Sequence, residues 1–179
     1  CLCLDLDEES KAAYQKAYQY LKRENKSAKF LLASYFGALD ENLEVAAALP
    51  VDAIHIDLVR APEQLDHVLA ALPPGISLSA GVVDGRNIWK NDYRKAMDLI
   101  NRAAANRGKE NVWIAPSCSL LHSPIDLSLE TEVAPEIKNW MSFAVQKLNE
   151  LDDLARIAGG DELLLQQNSE AIRSRETSS

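Results

Sequence analysis

Cysteine is scarce in this sequence. Of its three cysteines, two are crowded together as Cys1-Leu2-Cys3 and the third, Cys118, stands far away, so the even, spaced framework of a disulfide-stapled secreted domain is excluded. Positive charge is also in short supply. Nineteen Lys and Arg face 27 Asp and Glu, a net charge of −8 with no basic stripe to neutralise phosphates, which argues against nucleic acid as a partner. No apolar run approaches the length of a membrane span, and the start lacks the basic-then-apolar pattern of a signal peptide. These absences predict a cytoplasmic protein with no membrane partner. The opening CLCLDLD has neither an initiator Met nor a polar lead-in, and the expectation is a piece of something longer.

What is present is alternation. After the acidic Asp7-Glu8-Glu9, residues 11–24 carry Ala13, Ala17, Tyr20 and Leu21 at helical spacing. KFLLASYF (29–36) reads as a strand closed by Gly37, and residues 42–49 as a helix stopped by Pro50. VDAIHIDLV (51–59) is rich in β-branched residues, and Leu65, Val68, Leu69 and Leu72 of the next segment share one helical face. ISLSAGVVDG (76–85) precedes a helix over 93–108 ended by Gly108. NVWIAPSCSLL supplies a fourth strand, and residues 134–157 predict one long helix with Trp140, Phe143, Ala144, Leu148 and Leu151 inward. The strands are expected at about 29–36, 51–58, 76–82 and 112–117. Strict alternation with short turns implies parallel strands with crossover helices, either a doubly wound sheet or a (β/α)8 barrel. The polar stretch 159–179, with its Gly-Gly break, reads as a linker.

In a barrel, chemistry gathers at the C-terminal strand ends, which here carry Ser34-Tyr35-Phe36, His55-Ile56-Asp57, Asp84-Gly85-Arg86-Asn87 and Ser117-Cys118-Ser119. Strand alternation puts His55 and Asp57 on one face, and a buried Asp57 predicts an ion pair with Arg86 on the neighbouring strand end. Cys118 with His122 could form a nucleophile and base, but i to i+4 spacing aligns them only on a helix, which Pro124 disfavours, so the default is a buried structural thiol. His122 is expected to fix its loop through a backbone hydrogen bond. Trp89, Trp113, Tyr35 and Tyr93 are too dispersed for a stacking platform and are expected in the core.

KFLLASYF, LPVDAIHIDLVR, LSAGVVDGRNIWKND and above all VWIAPSCSLLHSPIDLSLETE resemble, in order and spacing, the N-terminal barrel of the cobalamin-independent methionine synthases. The resemblance covers residues 1 to 158 and implies four consecutive βα units, the C-terminal half of that (β/α)8 barrel, with 159–179 leading toward a second, catalytic barrel. It implies a methyltransferase that moves a methyl group from methyltetrahydropteroyl-polyglutamate to homocysteine, with zinc as cofactor and with the zinc ligands outside this segment. The family's two barrels look like duplicates, so the catalytic pattern can be laid on this one. Ala33 and Tyr35 fall in the places of a His-x-Cys ligand pair, Asp57 in that of a Glu ligand, Arg86 in that of the catalytic His, and Cys118 in that of the last Cys ligand. Asp57, Arg86 and Cys118 are thus candidates for a vestigial site, with no catalytic, cofactor-binding or metal-ligating residue expected here. The rival readings are a stand-alone structural or binding module with a degenerate site, and a small enzyme using Cys118, Asp57 and Arg86. The missing half barrel predicts that the segment alone self-associates.

Overall fold

The computed structural model describes residues 2–178; Cys1 and Ser179, the outermost residues of the two expected segments, lie outside them. The order is α1 (Glu8–Glu24), β1 (Leu31–Ala33), α2 (Leu43–Ala47), β2 (Ala53–Asp57), α3 (Gln64–Ala71), β3 (Ser77–Val83), α4 (Tyr93–Arg107), β4 (Val112–Pro116), α5 (Pro135–Lys138), α6 (Ala144–Ala158) and α7 (Glu162–Thr177). Asp7 caps α1 by accepting from the Ser10 N–H, and Asp92 caps α4 by accepting from the N–H groups of Arg94 and Lys95, which ties each start to a side chain readable in the sequence.

The four strands form one parallel sheet in the order β1-β2-β3-β4. A doubly wound sheet reverses its strand order at a switch point, and these strands run on without reversal. Alternation divides the residues of β2 and β3 between two faces. Leu32, Ile54, Ile56, Leu78 and Ala80 pack with Leu65, Val68, Met97 and Ile100 of α3 and α4 in one apolar core. On the other face the register sets His55 beside Ser79 and Asp57 beside Gly81, and Gly81 in turn beside Ala115 of β4. Small residues therefore line the middle of the face away from the helices.

Three expectations need correction. Residues 134–157 are two helices, because the chain between them leaves helical geometry to pair with the β3–α4 loop: Lys90 N–H donates to Trp140 O and Ser142 N–H to Ile88 O, both at 2.8 Å. After that break the inward face of α6 is Lys147, Glu150 and Leu154, whereas Leu148 is 56% exposed. The polar stretch after Gly159, read as a linker, is helical over α7 rather than at one weak patch around Leu163 to Leu165. Asn168, Ala171 and Ile172 are buried, Asn168 grips Tyr93 N–H and Asn91 O, and Trp140 Nε1–H donates to Ser174 Oγ. Of the four dispersed aromatics, Tyr93 is buried in the core, but Trp89, Trp113 and Tyr35 are exposed.

Candidate functional site at the strand ends

The C-terminal ends of β1 to β4 bring Tyr35, Phe36, Asp57, Arg86 and Cys118 into one neighbourhood. Asp57 ends β2 and is 1% exposed. Its carboxylate is taken up by backbone donors: Phe36 N–H gives a 3.0 Å bond to Oδ2, while Val59 and Arg60 N–H give bonds of 3.0 and 2.9 Å to Oδ1. The expected ion pair with Arg86 is not among the salt bridges of the described residues. Arg86 lies instead over the Phe36 ring, 4.6 Å from its centroid. The reason is local. The chain turns after β1 at Phe36 and again directly after Asp57, and the N–H groups exposed by those turns reach its carboxylate from short range.

Phe36 adopts a left-handed backbone, φ 79°, which a side-chain-bearing residue enters only under constraint. The Asp57 carboxylate supplies part of that constraint. The Phe36 ring meets Tyr35 edge-on at 4.9 Å and His122 at 5.6 Å, so the contact seen for the His122 ring is with the segment after β1. Ala33 and Tyr35, which the resemblance sets in the places of a His-x-Cys pair, bring neither imidazole nor thiolate.

Cys118 is 6% exposed. Burial pushes its thiol up; the Ser117 hydroxyl opposes that shift, and the carboxylates of Asp57 and Asp84 add to it. A thiol held in its neutral form is a poor nucleophile and a poor metal ligand. The neighbouring hydroxyls are engaged in the loop: Ser117 Oγ accepts from Gly85 N–H at 3.2 Å and Ser119 Oγ from Leu121 N–H at 3.3 Å.

His55 fills the face beneath the mouth. With Ser117 O at 3.3 Å from Nε2 and Ser79 Oγ at 2.9 Å from Nδ1, the neutral tautomer protonated on Nε2 satisfies both contacts, donating to the carbonyl and accepting from the hydroxyl. Burial holds its pKa below the ordinary value. The ring crosses β3 at Gly81, where a Cβ would stand 2.9 Å from His55 Cε1 and 2.7 Å from Ile56 O.

Among the described residues no cluster of His, Cys, Asp and Glu could hold a metal ion. The donor set explains this. One buried thiol and one carboxylate already engaged by three backbone N–H groups do not make a zinc site. A cleft of about 670 Å³ lies elsewhere, among residues that include Lys90, Tyr93, Glu150 and Asn168. Residue-type reasoning at the strand ends missed Lys147, Glu150 and Asn168. The available signal was their helical spacing: Lys147 and Glu150 fall at i, i+3 on the face that also carries Leu151 and Leu154.

Residues 1–108 match the family model described as "Cobalamin-independent synthase, N-terminal domain", so the chain belongs to that family. Among curated proteins it is similar to 5-methyltetrahydropteroyltriglutamate--homocysteine methyltransferase of Xylella fastidiosa (strain 9a5c), with 48% identity across 99% of this chain and 24% of the relative. The protein of that name from Rhodopseudomonas palustris (strain ATCC BAA-98 / CGA009) is 46% identical over 95% of this chain and 22% of its own length. The one from Saccharomyces cerevisiae is 44% identical over 97% and 23%. The chain thus spans about a quarter of the length of these relatives.

Proposed function

We propose that this chain is part of a zinc-dependent, cobalamin-independent methyltransferase that makes methionine by passing a methyl group from 5-methyltetrahydropteroyl-polyglutamate to homocysteine, and that the segment itself plays a supporting, non-catalytic part. The observation that carries the reading is identity of 44 to 48% along nearly the whole chain to relatives that each bear that methyltransferase's name. The sequential parallel sheet supports one half of a (β/α)8 barrel, residues 1–158, with other strands of the parent chain completing it. Zinc and its ligands then belong to the catalytic barrel, where the metal would keep the homocysteine thiol ionised. Here Asp57, Arg86 and Cys118 keep the positions of a site whose other places are held by Ala33 and Tyr35.

The rim of the mouth supports a docking role. Leu121, Ile125 and Leu129 in the loop after β4 are 93%, 75% and 73% exposed, and Tyr35 and Phe36 stand nearby at 40% and 43%. Such an apolar rim calls for a covering surface. With about three quarters of the relatives' length outside this segment, the catalytic barrel of the same chain is the occupant we assign. No helix among the described residues is long and apolar enough to cross a membrane.

A zinc titration with an absorbing chelator tests the non-catalytic reading. The expected result is no stoichiometric zinc on this segment at micromolar metal; one equivalent lost in the Cys118→Ser protein contradicts it. The half-barrel reading has the segment alone self-associate through its uncovered sheet edges, whereas the second reading, a stand-alone module, needs no such cover. A well-packed monomer speaks against that self-association.

A further inference from the structure

Lys147 is the largest side chain among the described residues with no exposure at all. A lysine ammonium removed from water must find acceptors, and both of those it finds belong to the loop joining β3 to α4: Asn87 Oδ1 and Trp89 O, each at 3.1 Å. Burial draws its pKa down, while the carboxylates of Glu150 and Asp84 act in the opposite direction. Three residues further along α6, Glu150 accepts from Asn91 N–H at 3.0 Å. Two helices beyond the loop therefore hold its distal half, α6 through Lys147 and Glu150 and α7 through Asn168.

The proximal half of the same loop forms the mouth. Asn87 Nδ2–H donates to Asp84 Oδ2 and Arg86 N–H to Asp84 Oδ1, both at 2.8 Å, while Gly85 N–H donates to Ser117 Oγ. Gly85 lies directly on Cys118: a Cβ there would stand 3.0 Å from Sγ and 2.9 Å from the carbonyl oxygen. Asn87 is the joint between the two halves, accepting from the ammonium on one side and donating to Asp84 on the other.

We propose that Lys147 is a positioning residue for the mouth: through Asn87 and Asp84 its ammonium holds residues 84–87 as a cover over Cys118 and sets Arg86 against Phe36. This goes beyond the methyltransferase reading and does not depend on it. A buried lysine acting only as structural glue would be felt in global stability alone. One acting through Asn87 is felt at Cys118, whose thiol lies under the loop that Lys147 grips.

The test is the rate of Cys118 alkylation by iodoacetamide in a Cys1→Ser/Cys3→Ser background, under native conditions. Lys147→Met and Asn87→Ala are each expected to raise the rate about tenfold by releasing the cover locally, and the double variant no further, since both cut the same link. Leu69→Ala on α3, chosen to cost comparable global stability, is expected to leave the rate within about twofold. Should Lys147→Met fail to fold, Asn87→Ala decides by the same rate. Protection within about twofold of the parent in the folded variants, additive effects in the double variant, or an equal rise in Leu69→Ala overturns the proposal.

Discussion

Replacing Asp57 separates two accounts of why a carboxylate is buried at the mouth of this sheet. In the structure its partners are the N–H groups of Phe36, Val59 and Arg60. A hydrogen bond to a charged group contributes about 1.5–3 kcal/mol, and these three sites are only partly closed to water, so Asp57→Ala should cost about 4 kcal/mol. Part of what is lost returns as the left-handed Phe36 relaxes, a strain of about 1–2 kcal/mol. The net expectation is a loss of about 3 kcal/mol. Asp57→Asn offers a single acceptor oxygen and should cost about half as much. Arg86→Ala removes only the contact over the Phe36 ring, about 0.5–1 kcal/mol at an exposed position. An ion pair between Asp57 and Arg86 would instead make the two alanine variants nearly equal, because breaking a buried pair from either side costs about 3–5 kcal/mol. Urea unfolding with a shared m-value measures all three. Equal losses for Asp57→Ala and Arg86→Ala, or a loss below about 1 kcal/mol for Asp57→Ala, refute the backbone account.

Two further outcomes follow from the face below the mouth. Gly81→Ala should destabilise by about 2–3 kcal/mol or prevent folding, since its Cβ would sit 2.7 Å from a backbone oxygen and 2.9 Å from both His55 Cε1 and Ser117 Cα; a variant as stable as the parent by urea unfolding contradicts this. His55 has a folded pKa below the unfolded value of 6.5, so the unfolded chain binds its proton first. The contribution of His55 is therefore complete above that value and is lost as pH falls from it toward the folded pKa. His55→Gln should flatten the stability profile in that window, and an unchanged slope would show that another group carries it.

Much of the fold was legible because apolar periodicity encodes it. Leu65, Val68 and Leu69 announced α3 by their spacing, and the β-branched run before Asp57 announced β2. Periodicity was silent where polar groups decide the structure. The break at 139–143 exists because backbone groups there pair with the β3–α4 loop, a partner some fifty residues away in sequence. α7 buries Asn168 along with Ala171 and Ile172, and a polar helix held by side-chain hydrogen bonds looks like a linker to any hydrophobic reading. Likewise β1 is shorter than KFLLASYF suggested, for the chain turns left-handed at Phe36 to meet Asp57. The family resemblance set Asp57, Arg86 and Cys118 at one mouth, and the charges of Asp57 and Arg86 act on the Cys118 thiol. Which group satisfies Asp57 could not be read that way, because the donors are backbone N–H groups, identical in every residue but proline.

The central proposal is that the mouth of this segment keeps the positions of a metal site without its chemistry, and the Cys118→Ser variant of the intact protein, assayed for the methyl transfer proposed above, tests it most directly. A serine hydroxyl can donate to Ser119 O as the buried thiol does, so packing is largely retained. The measurement is kcat for methyl transfer to homocysteine, with zinc content determined on the same sample. The account predicts a rate within about threefold of the parent and unchanged zinc, whereas a true zinc ligand would take both away. Near-abolished turnover with loss of an equivalent of zinc would contradict it.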